Sequence, residues 1–331
     1  MNWNEGFSAS YTYAIVDPVT WRDIETHDLV SGNVMKTTSG TMESADIEIT
    51  EDPAEEWVRI YLNATQGYDG AKEALFTGLL QTPTTEWEGT RKTHKANCYS
   101  VLKPANDVLL PRGWYAPAGA SGARLAAELL GIGAAPAEYA DASPTLASTL
   151  IAESKETNLS MARKILDTIG WRIRITGGGV IQILPAASER SAVLDPDSND
   201  IVEVSVKDSF DWYSCPNVLR VVSGNAMAVA RDDDPNSPYS TVARGREIWR
   251  EETKNTLSAS EGITEYAKRR LKEEQSPTRR LSYSRRYLPD ILPGDIVGFY
   301  HACASGEFKI TSQKMELAFG GTIQEEGEQY G

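Results

Sequence analysis

Apolar and polar residues alternate over short runs in the first third of the chain. Tyr11–Val16, Ile47–Thr50, Trp57–Ala64, Phe76–Thr84 and Lys92–Val101 are rich in Thr, Val, Ile, Tyr and Trp, with Asp52-Pro53 and Gly67-Tyr68-Asp69-Gly70 as turns between them. Such residues fit a pleated, half-buried surface, and breakers of this kind end it. Trp57, Arg59 and Tyr61 alternate with Val58, Ile60 and Leu62, so one face of that strand is buried and the other wet. Short strands at this rhythm predict a sandwich or a small barrel.

The period changes near Trp114. Pro117-Ala118-Gly119-Ala120-Ser121-Gly122 breaks the alternation, and Ala123–Leu130 then sets Leu125, Leu129 and Leu130 on one helical face before Gly131. A second helix is expected over Met161–Ile169, with Ile165, Leu166 and Ile169 buried and Gly170 as its stop. Trp171–Ile175 and Val180–Leu184 alternate on either side of Thr176-Gly177-Gly178-Gly179, which reads as a hairpin whose glycines supply positive φ. A phosphate-cradling loop needs a following helix, and here a strand follows.

Ser188 to Asp200 reads as a polar connector. Strands are then expected at Ile201–Val206, Val218–Val222, Arg280–Tyr287, Ile296–Ala302, Phe308–Lys314 and Ala318–Gln324. One helix interrupts them, from about Ser260 to Glu274, with Ser258 or Ser260 as N-cap. Glu261 and Glu265 lie early in it and Lys268, Arg269, Arg270 and Lys272 late, the order that suits a helix dipole. Ile263, Ala267 and Leu271 form its buried stripe.

Composition narrows the function. The 331 residues exceed what one core usually serves, and 40% hydrophobic residues with eight Trp can build two or three. A formal charge of −14 argues against gripping phosphates. Divided after residues 116 and 199, the chain has nine bases against seventeen acids, seven against nine and seventeen against twenty-one, or net −8, −2 and −4. The acidity is therefore concentrated at the start. No apolar run reaches the roughly 20 residues of a membrane span, and Met1-Asn2-Trp3-Asn4-Glu5 is too polar for a signal peptide. The sequons at Asn63 and Asn158 are read as chance.

Candidate chemistry is thin. Cys98, Cys215 and Cys303 are isolated thiols, suited to a reducing compartment rather than to a disulfide framework or a zinc site. His27, His94 and His301 are expected on strands or surface, too sparse for a metal or proton-relay site. Asp232, Asp234 and Asn236 alternate like the opening of a calcium loop, but Ser237 and Ala243 stand where that loop needs Gly and Glu. Glu55-Glu56, Glu86 with Glu88, and Glu251-Glu252 do not form the opposed pair that glycoside cleavage needs. No Gly-x-Ser-x-Gly is present. Lys268, Arg269, Arg270, Lys272, Arg279, Arg280, Arg285 and Arg286, interleaved with Tyr283 and Tyr287, could form a stacking platform for nucleic acid. In so acidic a chain, faces paired with acids of the same or a neighbouring subunit are the better account. No catalytic, cofactor-binding or metal-binding residue is assigned.

Several motifs resemble those of baseplate hub proteins, the tube-to-spike adaptors of phage tails and phage-like contractile particles. They are Cys98-Tyr99-Ser100-Val101-Leu102, the turn into Ala123–Leu130, the helix and hairpin of Met161–Leu184, Asn217-Val218, Asp234-Pro235-Asn236-Ser237-Pro238-Tyr239-Ser240 and Pro293-Gly294-Asp295-Ile296-Val297. The first hundred residues match by pattern alone. The resemblance implies a mainly β, α+β chain with two tail-tube-like β-barrel domains and an inserted mixed α/β domain. Their expected limits are 1–116, 200–331 (with one helix) and 117–199 respectively.

It also implies a homotrimer in which three pairs of barrels meet a sixfold tail tube while the far side stays threefold for a central spike. Expected partners are the tube or a distal tube-initiator protein, the spike, the tape-measure protein and the baseplate wedge, with no sequence-specific nucleic acid, membrane or cofactor. The expected location is the tail baseplate of a virion or phage-like particle, after synthesis in bacterial cytoplasm. Some relatives carry a C-terminal peptidase or lysozyme extension. This sequence ends at Gly331 after its last expected strand, so wall degradation is expected of another chain. Two rival readings are a tail-tip cell-wall hydrolase with Glu86 or Glu88 as acid, and a carbohydrate-binding adhesion module using its Trp side chains.

Overall fold

The computed structural model describes residues 1–3, 5–140, 144–186, 190–194, 207–210, 212–223, 226–253, 262–275, 279–289, 291–301 and 304–330. The elements follow the order β1 (Ser8–Val16), β2 (Asp23–Asp28), β3 (Ser31–Thr37), β4 (Glu43–Ile49), β5 (Trp57–Gln66), β6 (Asp69–Leu80), β7 (Thr84–Glu88), β8 (Arg91–Ser100), α1 (Lys103–Asp107), β9 (Tyr115–Ala116), α2 (Gly122–Leu130), β10 (Ala137–Tyr139), β11 (Leu150–Ile151), α3 (Asn158–Ile169), β12 (Trp171–Ile175), β13 (Ile181–Pro185) and β14 (Arg190–Leu194). They continue with β15 (Lys207–Phe210), β16 (Val218–Ser223), β17 (Ala226–Arg231), α4 (Thr241–Arg244), β18 (Trp249–Thr253), α5 (Ile263–Glu274), β19 (Arg279–Arg285), β20 (Ile296–His301), β21 (Ala304–Glu316) and β22 (Ile323–Gln329). The chain is mainly β. It forms two compact units, Met1–Val206 with Ser282–Gly331, and Lys207–Leu281.

In the larger unit the strands run β19-β22-β21-β3-β4-β8-β6-β5-β1-β2, with β7 on β8, β20 on β21 and β14 parallel to β20. Tyr13, Val34, Ile47, Ile60, Phe76 and Cys98, from six strands between β1 and β3, share one core. Laid flat at about 4.8 Å per strand, those strands would span roughly 24 Å. They can share a core only because the sheet curls around it.

β21 serves two lobes. Its first half pairs with β20 and its second half with β3, while β22 follows it through the junction. The register slips between Ile310 and Ser312, so Thr311 is the extra residue of a bulge that turns the strand from one lobe toward the other. Tyr283, Phe299 and Phe308 fill the second lobe, with ring centroids 4.8 Å and 6.3 Å apart in succession.

Residues 101–183 build their own core from α2, α3, β12 and β13, including Leu130, Met161, Ile165 and Ile181. Ser121 caps α2, and Thr157 with Ser160 forms a reciprocal capping box on α3. Gly170 ends α3 in the left-handed conformation at φ +70°. The hairpin β12–β13 forms as its alternation predicts.

In the smaller unit β16 lies between β17 and, in parallel, β18, the connection passing through α4. Ala267 and Leu271 of α5 pack on Leu219, Val221, Ala228 and Ala230, as the stripe on that helix requires. Gly262 is its N-cap, and Ser258, Ser260 and Glu261 lie outside the described residues, as do Ile201–Val206, residues 195–200 of the expected connector and Cys303.

Three expectations shift. The connector expected at Ser188 to Asp200 contains β14, whose Leu194 is fully buried. The strand expected at Ala318–Gln324 begins only at Ile323, because Gly320, at φ +71°, closes the turn from β21. β6 ends at Leu80, short of the expected Thr84.

Candidate assembly surfaces

Buried polar groups fix the frame of the larger unit. Gly177 and Gly178, at the tip of the β12–β13 hairpin, lie against β6. The Thr77 hydroxyl donates to the Gly177 carbonyl at 2.8 Å, and the Trp21 indole and Arg59 guanidinium donate to the Gly178 carbonyl at 2.9 and 3.1 Å. Arg59 also donates to Thr77 at 3.0 Å and Asp23 at 2.7 Å. A Cβ on Gly177 would overlap the Ala74 carbonyl, and only Gly179 of the three has positive φ, +76°. The expected reason for the glycines therefore holds at Gly179, whereas Gly177 is required by close approach of two backbones.

The Pro-Gly-Asp turn is the second clamp. Asp295 is buried, accepts from Arg172 at 2.8 Å and from the Leu292 N–H at 3.0 Å, and lies 3.6 Å from Arg174. Gly294 sits at φ +92°, where a Cβ would overlap the Arg172 guanidinium. This motif ties the inserted hairpin to the strand that follows it, β20. A third group is fully buried: Arg285 forks onto Glu325 at 2.8 and 2.6 Å, Tyr283 donates to the same carboxylate at 2.6 Å, and Gln313 donates to it and to the Ile291 carbonyl. Burial first, then the Glu325 charge, pushes the Tyr283 phenol well above its ordinary pKa. Lys36 and Glu43 make a further buried pair at 2.7 Å. Burial raises the pKa of Glu43 despite the lysine.

Two edges face outward. Among the described residues β2 pairs only with β1, and β7 only with β8. Every residue of β7 is exposed, Trp87 at 67%. β2 carries Asp23, Glu25 and Asp28 with the exposed Ile24, and β7 carries Glu86 and Glu88. Acidic side chains on an open edge discourage indiscriminate pairing.

The residues weighed for chemistry are placed as follows. Glu86 is paired with Lys95 at 2.7 Å on the exposed β7–β8 arm, which Glu88 shares. The Asp232–Ser240 loop uses its carboxylates within the smaller unit, Asp232 also accepting from the Gln275 side chain at the end of α5 at 2.9 Å. Asp232 accepts from the Asp234 N–H at 3.1 Å and Ser237 at 2.6 Å, and Asp234 from the Asn236 N–H at 2.9 Å. Ser240 caps α4. Thr241 and Arg231 hold Asp233 below its usual pKa. The loop is a set of side-chain turns that ends in a helix cap.

Of the basic cluster, Lys268, Arg269 and Arg270 pair with Glu265, Glu273, Glu274 and Glu252. Arg285 is not on an exposed face at all, and Tyr283 is buried rather than available for stacking. His27, His94 and His301 lie on β2, β8 and β20. Cys98 is buried and its thiol pKa is pushed up by burial, while Cys215 donates to the Glu274 carbonyl at 3.2 Å. No helix among the described residues is long and apolar enough to cross a membrane.

A curled sheet that shares β21 with a second lobe and carries a helical insert clamped by its hairpin is the fold of phage tail proteins. Two solved structures share it along nearly their whole length. One is the 43 kDa tail protein of prophage MuSo2 from Shewanella oneidensis, 10% identical with a TM-score of 0.67, the match covering 97% of this chain and 98% of that one. The other is a tail protein from Neisseria meningitidis, 13% identical with a TM-score of 0.69, covering 97% and 96%. A prophage tail protein from Listeria monocytogenes follows at 12% identity and a TM-score of 0.54, covering 97% and 94%. No protein-family model matches the chain, and no curated protein matches it in sequence.

Proposed function

We propose that this protein is the structural hub of a phage or phage-like tail baseplate. Three copies form a ring that joins a sixfold tail tube, directly or through a distal tube-initiator protein, to a threefold central spike. The tape-measure protein and the baseplate wedge are its further neighbours, and it has no catalytic role. The observation that carries this reading is the near end-to-end match of its fold with tail proteins.

The edges support a ring. Pairing β2 with β2, or β7 with β7, would set acidic side chains against one another and is disfavoured. The same holds for β2 against β7, so contacts between copies use one acidic edge against a different surface of the neighbour, and a heterologous contact of that kind that closes makes a cycle. Three subunits with two tube-like lobes each offer six similar edges to a tube. In this arrangement 1–116 is the first lobe, 117–199 the insert, whose β14 joins β20, and 200–331 carries both the second lobe and the smaller unit Lys207–Leu281. The −8 balance of the first 116 residues gives the lumen a sign that repels passing DNA.

The test is sedimentation of the purified chain alone and with candidate tail-tube and spike proteins. A threefold species that captures both partners is expected. A monomer under all conditions, or a twofold dimer, would overturn the reading.

A further inference from the structure

A cavity of about 470 Å³ opens inside the larger unit, between β3, β6, the hairpin tip and residues 287–289, 291 and 292. Its size falls within the range of small-molecule sites. Its lining combines apolar Leu75, Leu288, Ile291 and Met315 with Lys36, Arg174 and Gln182. Lys36 is the unusual element, because its side chain is only 8% exposed. Its ammonium carries three donors, and among the described residues Glu43 is its one partner. The Gln182 side chain, which also faces this space, makes no hydrogen bond among them. Lys36 lies on Glu43 and Arg172 and Arg174 on Asp295, and with the partly buried Glu73 of the lining the three cations and three carboxylates around the cavity balance.

A buried cation with spare donors beside apolar side chains selects for a ligand that is anionic at one end and apolar at the other. We propose that this cavity binds a small amphipathic carboxylate, its head on Lys36, Arg174 and Gln182 and its tail against Leu75, Leu288, Ile291 and Met315. Such a ligand would bridge the first lobe, the inserted hairpin and residues 287–289, 291 and 292, and so stabilise their arrangement. The inference does not depend on the hub reading.

Octanoate is a suitable probe, with octylamine as the same tail bearing the opposite charge, acetate as the head alone and N-acetyl-leucine as a mimic of a peptide terminus. Calorimetry and thermal unfolding of the full chain should show octanoate binding and raising Tm, with octylamine and acetate weaker. Lys36→Met combined with Glu43→Gln removes the buried pair together, avoiding a lone buried charge, and should weaken octanoate by about tenfold or more. Leu288→Trp fills the cavity and should abolish binding. Octylamine binding as tightly as octanoate, unchanged affinity in both variants, or no octanoate binding to the unaltered chain would overturn the proposal. N-acetyl-leucine binding tighter than octanoate would support the carboxylate site and make a peptide terminus its occupant.

Discussion

Gly177 and Gly178 are neighbours with different physical duties. A methyl group on Gly177 would enter the Ala74 carbonyl, whereas the nearest atom to one on Gly178 is the Thr176 hydroxyl oxygen at 3.8 Å. Gly177→Ala should therefore cost about 2 kcal/mol or more through forced separation of the hairpin from β6, and Gly178→Ala less than about 1 kcal/mol. Urea unfolding of the two variants compares them directly. Tyr283 supplies a pH signature. Its native pKa is raised while the unfolded side chain titrates near about 10, so above that pH the unfolded state has lost a proton that the native state keeps. Stability contributed by this group is complete below about pH 10 and declines as pH rises beyond it. Unfolding measured from pH 8 to pH 11 (roughly the span around that ordinary value) should show the decline, with a shallower slope in Tyr283→Phe.

At the scale of elements, the Pro-Gly-Asp turn is a clamp whose two halves are separable. Asp295→Ala strands the Arg172 guanidinium, whose side chain is 16% exposed, and should cost about 3–5 kcal/mol. Adding Arg172→Met should recover much of that loss, and a double-mutant cycle on the unfolding midpoint would measure the coupling. The motif itself was visible in the sequence; its partner was not, because Arg172 lies 123 residues away.

Legibility followed burial. β5, β12 and β13 alternate cleanly because one face of each meets a core, and α3 and α5 were found from their stripes. The strands β2, β7 and β18 were missed because Asp-Ile-Glu-Thr-His-Asp, Thr-Thr-Glu-Trp-Glu and Trp-Arg-Glu-Glu-Thr are mostly exposed and leave little hydrophobic period to read. β3 contains Gly32 and Asn33, which read as breakers. Gly32 is needed there because a Cβ would overlap the Asp46 carbonyl across the sheet. The outward edges that the proposed assembly uses are thus the elements hardest to see in one sequence.

For the whole molecule, the long strand β21 makes the two lobes of the larger unit one hydrogen-bonded body, and the buried Arg285–Glu325 pair lies where β19 meets β22. Assembly should then depend on exposed side chains that folding does not need. Trp87→Ser, on the exposed arm, should leave the unfolding free energy within about 0.5 kcal/mol while weakening association of copies or of a tail partner. Mass photometry alongside thermal unfolding separates those effects. An equal loss in both would place Trp87 in the folded core instead.

The contrast between two glycine-bearing hairpin tips has a practical side. Loop tips usually accept inserted peptides, but the Gly177–Gly179 tip is held by three hydrogen bonds and packed against β6, so a grafted epitope there would pry the insert loose. At Gly89, with φ +62° and nothing within 4 Å of a notional side chain, folding leaves room for an affinity tag or fluorophore, which would then report on or obstruct association at the β7–β8 arm.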